Sequence, residues 1–216
     1  MIFWKIDYIN LLPFHVFMKR YLPTRQQQIM QHRRGIPSKI NNDFALRRVD
    51  AAFISSIKAQ KASYVPLGII AKKEVRSVLV RPCDTDTPDA ASASSNLLAR
   101  ILHVKGEVLI GDEALRYALG GGKMTDLAAL WHKRYGLPFV FALLCHHGRR
   151  GEMQRLSRAF SKQRVRIPRY ILQERSRQSG IAQNDILEYL ELISYTLDHK
   201  ALRSVKKFWK LSQSLH

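Results

Sequence analysis

The apolar positions alternate between strand-like and helix-like spacing along the chain. Met1–Ile6 ("MIFWKI") is an apolar run with β-branched and aromatic residues, which predicts a buried first strand ending near Asn10. "PFHVFMKRYL" follows as a helix, with Pro13 at its opening, where the missing N–H costs nothing. In "GIPSKINNDFALRRV", Ser38 after Pro37 is placed to cap a second helix. "AAFI" predicts a short buried strand running into Ser55 and Ser56, which are placed to cap the next helical turn. "YVPLGIIAK" and "VRSVLV" predict two more strands, and "PFVFALL" another. "EVLI" predicts a strand ending at Gly111–Asp112, with a helix after it. "DLAALWHKRYG" is an amphipathic helix with Trp131 on its core side and Gly136 as its C′ residue. The tail from Gln183 onward predicts two amphipathic helices packed on the rest.

Strand and helix in alternation predict an α/β protein with parallel strands and right-handed crossovers. Ligands of such sheets sit at the carboxyl ends of strands, beside helix N-termini. Asn10, Ser38, Ser55 and Ser56 all fall at predicted strand ends or helix starts. The Pro-, Asp-, Ser- and Thr-rich stretch from Pro82 to Asn96 predicts a linker leaving the first sheet. It runs into "SASSNLLARIL", where Ser92, Ser94 and Ser95 crowd one helix start. Capping needs one hydroxyl, so three point to an anion site. "GGGK" (Gly120–Lys123) lacks the spacing of a phosphate loop and predicts a helix end and turn.

Composition adds limits. The 216 residues suffice for one domain or two small lobes with a real core, and 46% hydrophobic content marks a globular chain. No run is long enough for a membrane span, and the opening residues do not form a secretory signal, so a cytoplasmic location is expected. Cys83 and Cys145 are expected to be free thiols. "CHH" at 145–147 has no second ligand pair at a metal spacing, so no metal is expected. The net charge of +19 raises nucleic acid as a partner, but the densest basic stretch, His146–Tyr170, carries no nucleic-acid-binding motif. A solvated basic face that attracts small anions accounts for it better.

Several stretches together resemble one family. "IDYINLLPF", "GIPSKIN", "DAAFISSIKA", "VRSVLV", "SASSNLLARIL", "LIGDEALR" and "DLAALWHKRYGLPFVFALL" stand in the order found in chorismate dehydratases, the menaquinone enzymes that open the futalosine route. The likeness covers nearly the whole chain, and "LIGDEAL" and "GLPFVFA" are its most specific parts. It departs at Asp7, often serine in the family, and in short segments between Val80 and Ser92 and between Leu102 and Val108.

The resemblance implies a type II periplasmic-binding-protein-like fold of two α/β lobes, a helical C-terminal tail and a trimmed second lobe. Residues 1–80 with 138–216 would form one lobe and 81–137 the other, with "VRSVLV" and "PFVFALL" as crossing strands and Ser77 facing the cleft. It implies a cofactor-independent lyase that removes water from chorismate, a small-molecule substrate, with no membrane or specific nucleic-acid partner. Asn10 and Ser77 are the expected catalytic residues, with Ser38, Ser55, Ser56, Ser94, Ser95 and Asp112 binding substrate. Asp112 can equally orient a cleft residue or cap the helix behind it. The rival readings are the 1,4-dihydroxy-6-naphthoate synthase of the same route, whose expected Cys-Pro-Asn-Asp opening is not matched by "DYINLLPF", and a non-catalytic small-anion-binding protein.

Overall fold

The computed structural model describes residues 3–24 and 34–215. Met1 and Ile2 of the predicted opening strand lie outside them. The strand itself is short: β1 is Lys5–Ile6, paired in parallel with β2 (Arg34–Gly35). Asn10 sits beyond its end, in a 3-10 turn, Ile9–Leu11, that runs into helix α1 (Leu12–Tyr21). Pro13 occupies the first turn of α1, as expected.

A four-stranded sheet has the order β3 (Ala51–Ser55), β8 (Phe139–His146), β4 (Tyr64–Ala71), β9 (Ile193–Thr196). A parallel bridge from Phe3 to Ala51 joins the β1–β2 pair to its β3 edge. A three-stranded sheet has the order β6 (Glu107–Ile110), β5 (Val78–Arg81), β7 (Thr125–Asp126).

The expectation of parallel sheets is corrected: neighbours within both of these sheets run antiparallel. The reason is β8. It follows the second sheet in the chain and inserts between β3 and β4, which therefore point the same way without touching as a ladder. The chain passes from the first sheet to the second through residues 72–77 and returns through 136–138, so the loop after Pro82 leaves the second sheet and not the first.

Helix α2 (Pro37–Ala45) follows β2. Between the two crossings, with the three-stranded sheet, lie α3 (Ala93–Leu102), α4 (Gly111–Leu119) and α5 (Leu127–Tyr135). Helices α6 (Arg150–Ser161), α7 (Arg169–Ser179), α8 (Gln183–Glu191) and α9 (His199–Gln213) complete the chain. The tail is thus not two helices alone. Strand β9 interrupts it and adds an edge to β4, because "ISYT" is β-branched and aromatic where the flanking helical period breaks.

Aromatic rings anchor the core. Phe14 meets Phe53 and Phe160 edge-to-face at 5.0 and 5.1 Å, tying α1 and α6 to the sheet. Trp131, fully buried as its helical position predicts, packs against Phe139 and donates its indole N–H to Ser204 Oγ at 3.0 Å. Helix α5 ends where Gly136 turns to φ 66°, as its sequence requires. Asp126 caps α5 through Ala129 N–H (2.9 Å) and also accepts from Val75 and Arg76 N–H (2.9 and 2.7 Å), so one carboxylate pins the outgoing crossing segment to the helix that precedes the return.

Candidate active site

Between the two sheets lies a cavity of about 60 Å3. The starts of three helices reach it: α2 at Pro37, α3 at Ser92, α4 at Gly111. Each brings the positive end of a helix dipole; the Gly111 N–H is already given to Ser77 O at 2.8 Å and the Ser95 N–H to Ser92 Oγ at 3.2 Å, and Pro37 has none to give. Asn10, Ser55, Ser77 and Ser95 also face it, with Phe53 and Phe141 among the apolar walls. No Lys, Arg, His, Asp or Glu stands among the described lining residues.

The hydroxyls are held from behind. Asn41 Nδ2 donates to Ser55 Oγ at 2.8 Å, while Asn41 Oδ1 accepts the Ser55 N–H at 3.0 Å. Ser92 caps α3 by accepting the Ser95 N–H (3.2 Å), and its own proton goes to Ser95 Oγ at 2.6 Å. Ser77 Oγ pairs with Tyr189 Oη at 2.7 Å, both buried. A hydroxyl whose oxygen already accepts a proton keeps its own proton for the open side. Ser55 and Ser95 therefore present O–H donors to the cavity. That is the polarity an anion requires.

Asn10 differs. Its carbonyl oxygen accepts from Tyr195 Oη at 2.5 Å, but its side-chain Oδ1 is buried with no hydrogen-bond partner among the described residues. A buried acceptor left open in a polar cavity is costly unless a ligand fills it. Asp112 accepts the Ile9 N–H at 3.0 Å from the first turn of α4, so it holds the turn that carries Asn10. Burial raises its carboxyl above the ordinary value; the Ile9 N–H, Arg175 and Arg116 oppose that. Tyr8, on the cavity wall, is pushed up to about 12 by burial first and then by Asp89, Asp112 and Glu113. It is a protonated donor at neutral pH.

The remaining sequence-predicted residues fall elsewhere. Ser38 is the second residue of α2 and half-buried; Ile36 stands at the cap position and Pro37 before Ser38 opens the helix, so Ser38 is no N-cap. Ser55 and Ser56 do not cap the following 3-10 turn, Lys58–Lys61, either. Ser56 Oγ bonds Ser94 Oγ at 3.1 Å, and Ser94 Oγ accepts the Ile57 N–H at 3.2 Å. These two serines join the end of β3 to α3 and lie outside the described lining. Asp112 is not the α4 cap; Ile110 holds that position. Sequence reasoning missed Ser92 as a lining residue and missed Asn41 and Tyr189 behind the hydroxyls. Ser92 was legible as the first of the serine cluster; Asn41 sits on the helix before β3 with no local mark of its role, and Tyr189 comes from a helix 112 residues beyond Ser77.

Cys83 and Cys145 are both free thiols, as expected, and no group of His, Cys, Asp or Glu among the described residues is arranged to hold a metal. No helix among them is long and apolar enough to cross a membrane.

Residues 97–214 match the family model for menaquinone biosynthesis. A curated chorismate dehydratase from Campylobacter jejuni subsp. jejuni serotype O:23/36 (strain 81-176) is 41% identical over 221 aligned positions, covering 100% of this chain and 99% of that one. The chain belongs to the chorismate dehydratase family. The fold agrees with what the sequence resemblance implies. A crystal structure of an Archaeoglobus fulgidus protein superposes with a TM-score of 0.74 at 14% identity, covering 99% of this chain and 96% of that chain. The periplasmic aliphatic sulphonate binding protein of Escherichia coli gives 0.55 at 13% identity, covering 99% and 91%. In this member of the dehydratase family the cleft of a periplasmic-binding-protein-like fold is thus walled by hydroxyls, an amide and helix N-termini.

Proposed function

We propose that this chain is a hydro-lyase that removes water from chorismate to give 3-[(1-carboxyvinyl)oxy]benzoate. One observation supports the reading above the others: serine hydroxyls and the positive ends of three helices meet at one cavity, in a chain 41% identical to a chorismate dehydratase. Chorismate carries two carboxylates, and donors of this kind bind carboxylates without a cationic side chain. The net charge of +19 acts at longer range, drawing the dianion toward the cleft.

The elimination takes the C3 proton and the C4 hydroxyl and leaves an aromatic ring. The described cavity wall offers no side chain of ordinary basicity. The substrate's own enolpyruvyl carboxylate, pinned near C3, serves as the base. The proton that the carboxylate takes passes to the departing C4 oxygen, so the leaving group is water; Asn10 Oδ1 accepts from the C4 hydroxyl in the bound substrate and orients it, and Ser77 donates to the C4 oxygen as the C–O bond breaks. Ser55 and Ser95, with the starts of α2 and α3, hold the carboxylates. Ser56, Ser94 and Asp112 act behind them, and Ser38 lies at the α2 rim. Catalysis on this reading is positioning and electrostatics. Residues 81–137 form the smaller lobe, which must swing to admit substrate.

Incubation with chorismate, without added metal or cofactor, followed by liquid chromatography and mass spectrometry, tests this. The expected result is loss of one water to the benzoate. Asn10→Ala should lower kcat on the order of 100-fold, the effect of removing one such polar group, with a small change in melting temperature. Saturable binding without turnover would make the chain a binding protein instead, and a fully active Asn10→Ala would remove Asn10 from the mechanism.

A further inference from the structure

Two tyrosines of the C-terminal tail reach the expected catalytic residues from outside the cavity. Tyr189, on α8, is 2% exposed, and its hydroxyl lies 2.7 Å from Ser77 Oγ. Tyr195, on β9, donates to the Asn10 carbonyl at 2.5 Å while its ring packs edge-to-face on Phe160. Neither lines the cavity. Each comes from more than a hundred residues away along the chain. We propose that Tyr189 and Tyr195 are positioning residues of this enzyme, which fix the hydroxyl rotor of Ser77 and the backbone of Asn10 so that a donor and an acceptor face the substrate; this rests on the dehydratase reading of the cavity.

Ser77 Oγ and Tyr189 Oη share one buried hydrogen bond at 2.7 Å, in which either oxygen can donate. On the proposed arrangement the phenol gives its proton to Ser77 Oγ, so Ser77 keeps its own proton for the cavity. The Asn10 side chain lies close enough to the phenol to oppose, with Ser77, the rise that burial imposes on it, and Asn10 Oδ1 has no partner among the described residues. One buried phenol thus holds the Ser77 hydroxyl beside Asn10. It stays protonated, because burial drives its ionisation far above neutral pH.

Tyr195 completes the arrangement. Asn10 lies in a 3-10 turn whose carbonyls are not all used within the turn, and an unclamped turn lets the side chain drift. A phenol on the Asn10 carbonyl and a carboxylate on the Ile9 N–H hold that turn from both sides.

The test is Tyr189→Phe and Tyr195→Phe, measured for kcat and KM on chorismate, with Tyr189→Phe repeated in a Ser77→Ala background. Each Phe variant should lose about 10-fold or more in kcat with KM within about 3-fold, since misplacement of reacting groups acts on the chemical step. In the Ser77→Ala background, Tyr189→Phe should cost less than it does alone, because the two act as a unit. Unchanged kcat in both Phe variants, or an undiminished Tyr189→Phe loss in the Ser77→Ala background, overturns the inference while leaving the cavity reading intact. Full activity of Ser77→Ala and Asn10→Ala overturns the cavity reading and this inference with it. If Tyr189→Phe does not fold, Tyr195→Phe decides alone through its kcat against KM.

Discussion

Gly111 and Asp112 stand side by side at the start of α4 and do different work. Gly111 has φ +66°, and a Cβ there would lie 2.7 Å from the Tyr8 ring. Gly111→Ala should destabilise the protein by about 1–2 kcal/mol from the left-handed backbone alone and shift Tyr8 from the cavity wall, seen as a lower denaturation midpoint and a raised KM. Asp112 predicts a pH effect. Burial raises its carboxyl above the unfolded value of 3.8. The folded chain therefore takes up the proton first, and this group's stabilising contribution is present below 3.8 and lost as pH rises through the raised folded value. Asp112→Asn keeps an acceptor for Ile9 N–H and removes the titration. The parent should gain melting temperature relative to Asp112→Asn as pH falls from 7 to 4; parallel curves would contradict the burial argument. The importance of this dipeptide was legible in "LIGDEAL", but its partners were not, because Tyr8 and Ile9 come from the opposite end of the chain.

Element by element, the strands from "AAFI" to "PFVFALL" were legible, while the helix caps were only partly so: Ser38, Ser55 and Ser56 cap nothing. Ser92 caps α3 because a small polar residue precedes an apolar helical run, and Gly136 ends α5 for the reason its sequence shows. β9 was hidden by the helices on either side, and the direction of β8 depends on a return from the second sheet that no local pattern encodes. The serine cluster separates two roles that sequence could not. Ser92→Ala removes a cap and releases Ser95 Oγ, so it should cost about 1 kcal/mol and also raise KM. Ser94→Ala breaks the Ser56 and Ile57 contacts away from the cavity, so it should lower the melting temperature with KM unchanged. Thermal melts beside steady-state kinetics separate them, and equal KM effects would reject the division.

For the whole molecule, the size of the cavity sets the final expectation. Sites for small organic ligands commonly measure roughly 300–1,000 Å3, and this one measures about 60 Å3. A substrate with a six-membered ring and two carboxylates does not enter so small a space with the walls as they stand. The walls belong to both sheets, and only residues 72–77 and 136–138 carry the chain between them. Asp126 grips Val75 and Arg76 at one crossing, so that segment moves with α5 as a unit, and the swing concentrates at its ends. On the proposed reading the walls must part to bind substrate, and a swing of the lobes is the expected movement. Small-angle X-ray scattering should give a larger radius of gyration for the free protein than this structure has, falling toward it when a slow or inactive variant such as Asn10→Ala is saturated with chorismate. Identical profiles, both matching this structure, would mean that substrate enters by local movement of the α3 and α4 starts, with the lobes fixed.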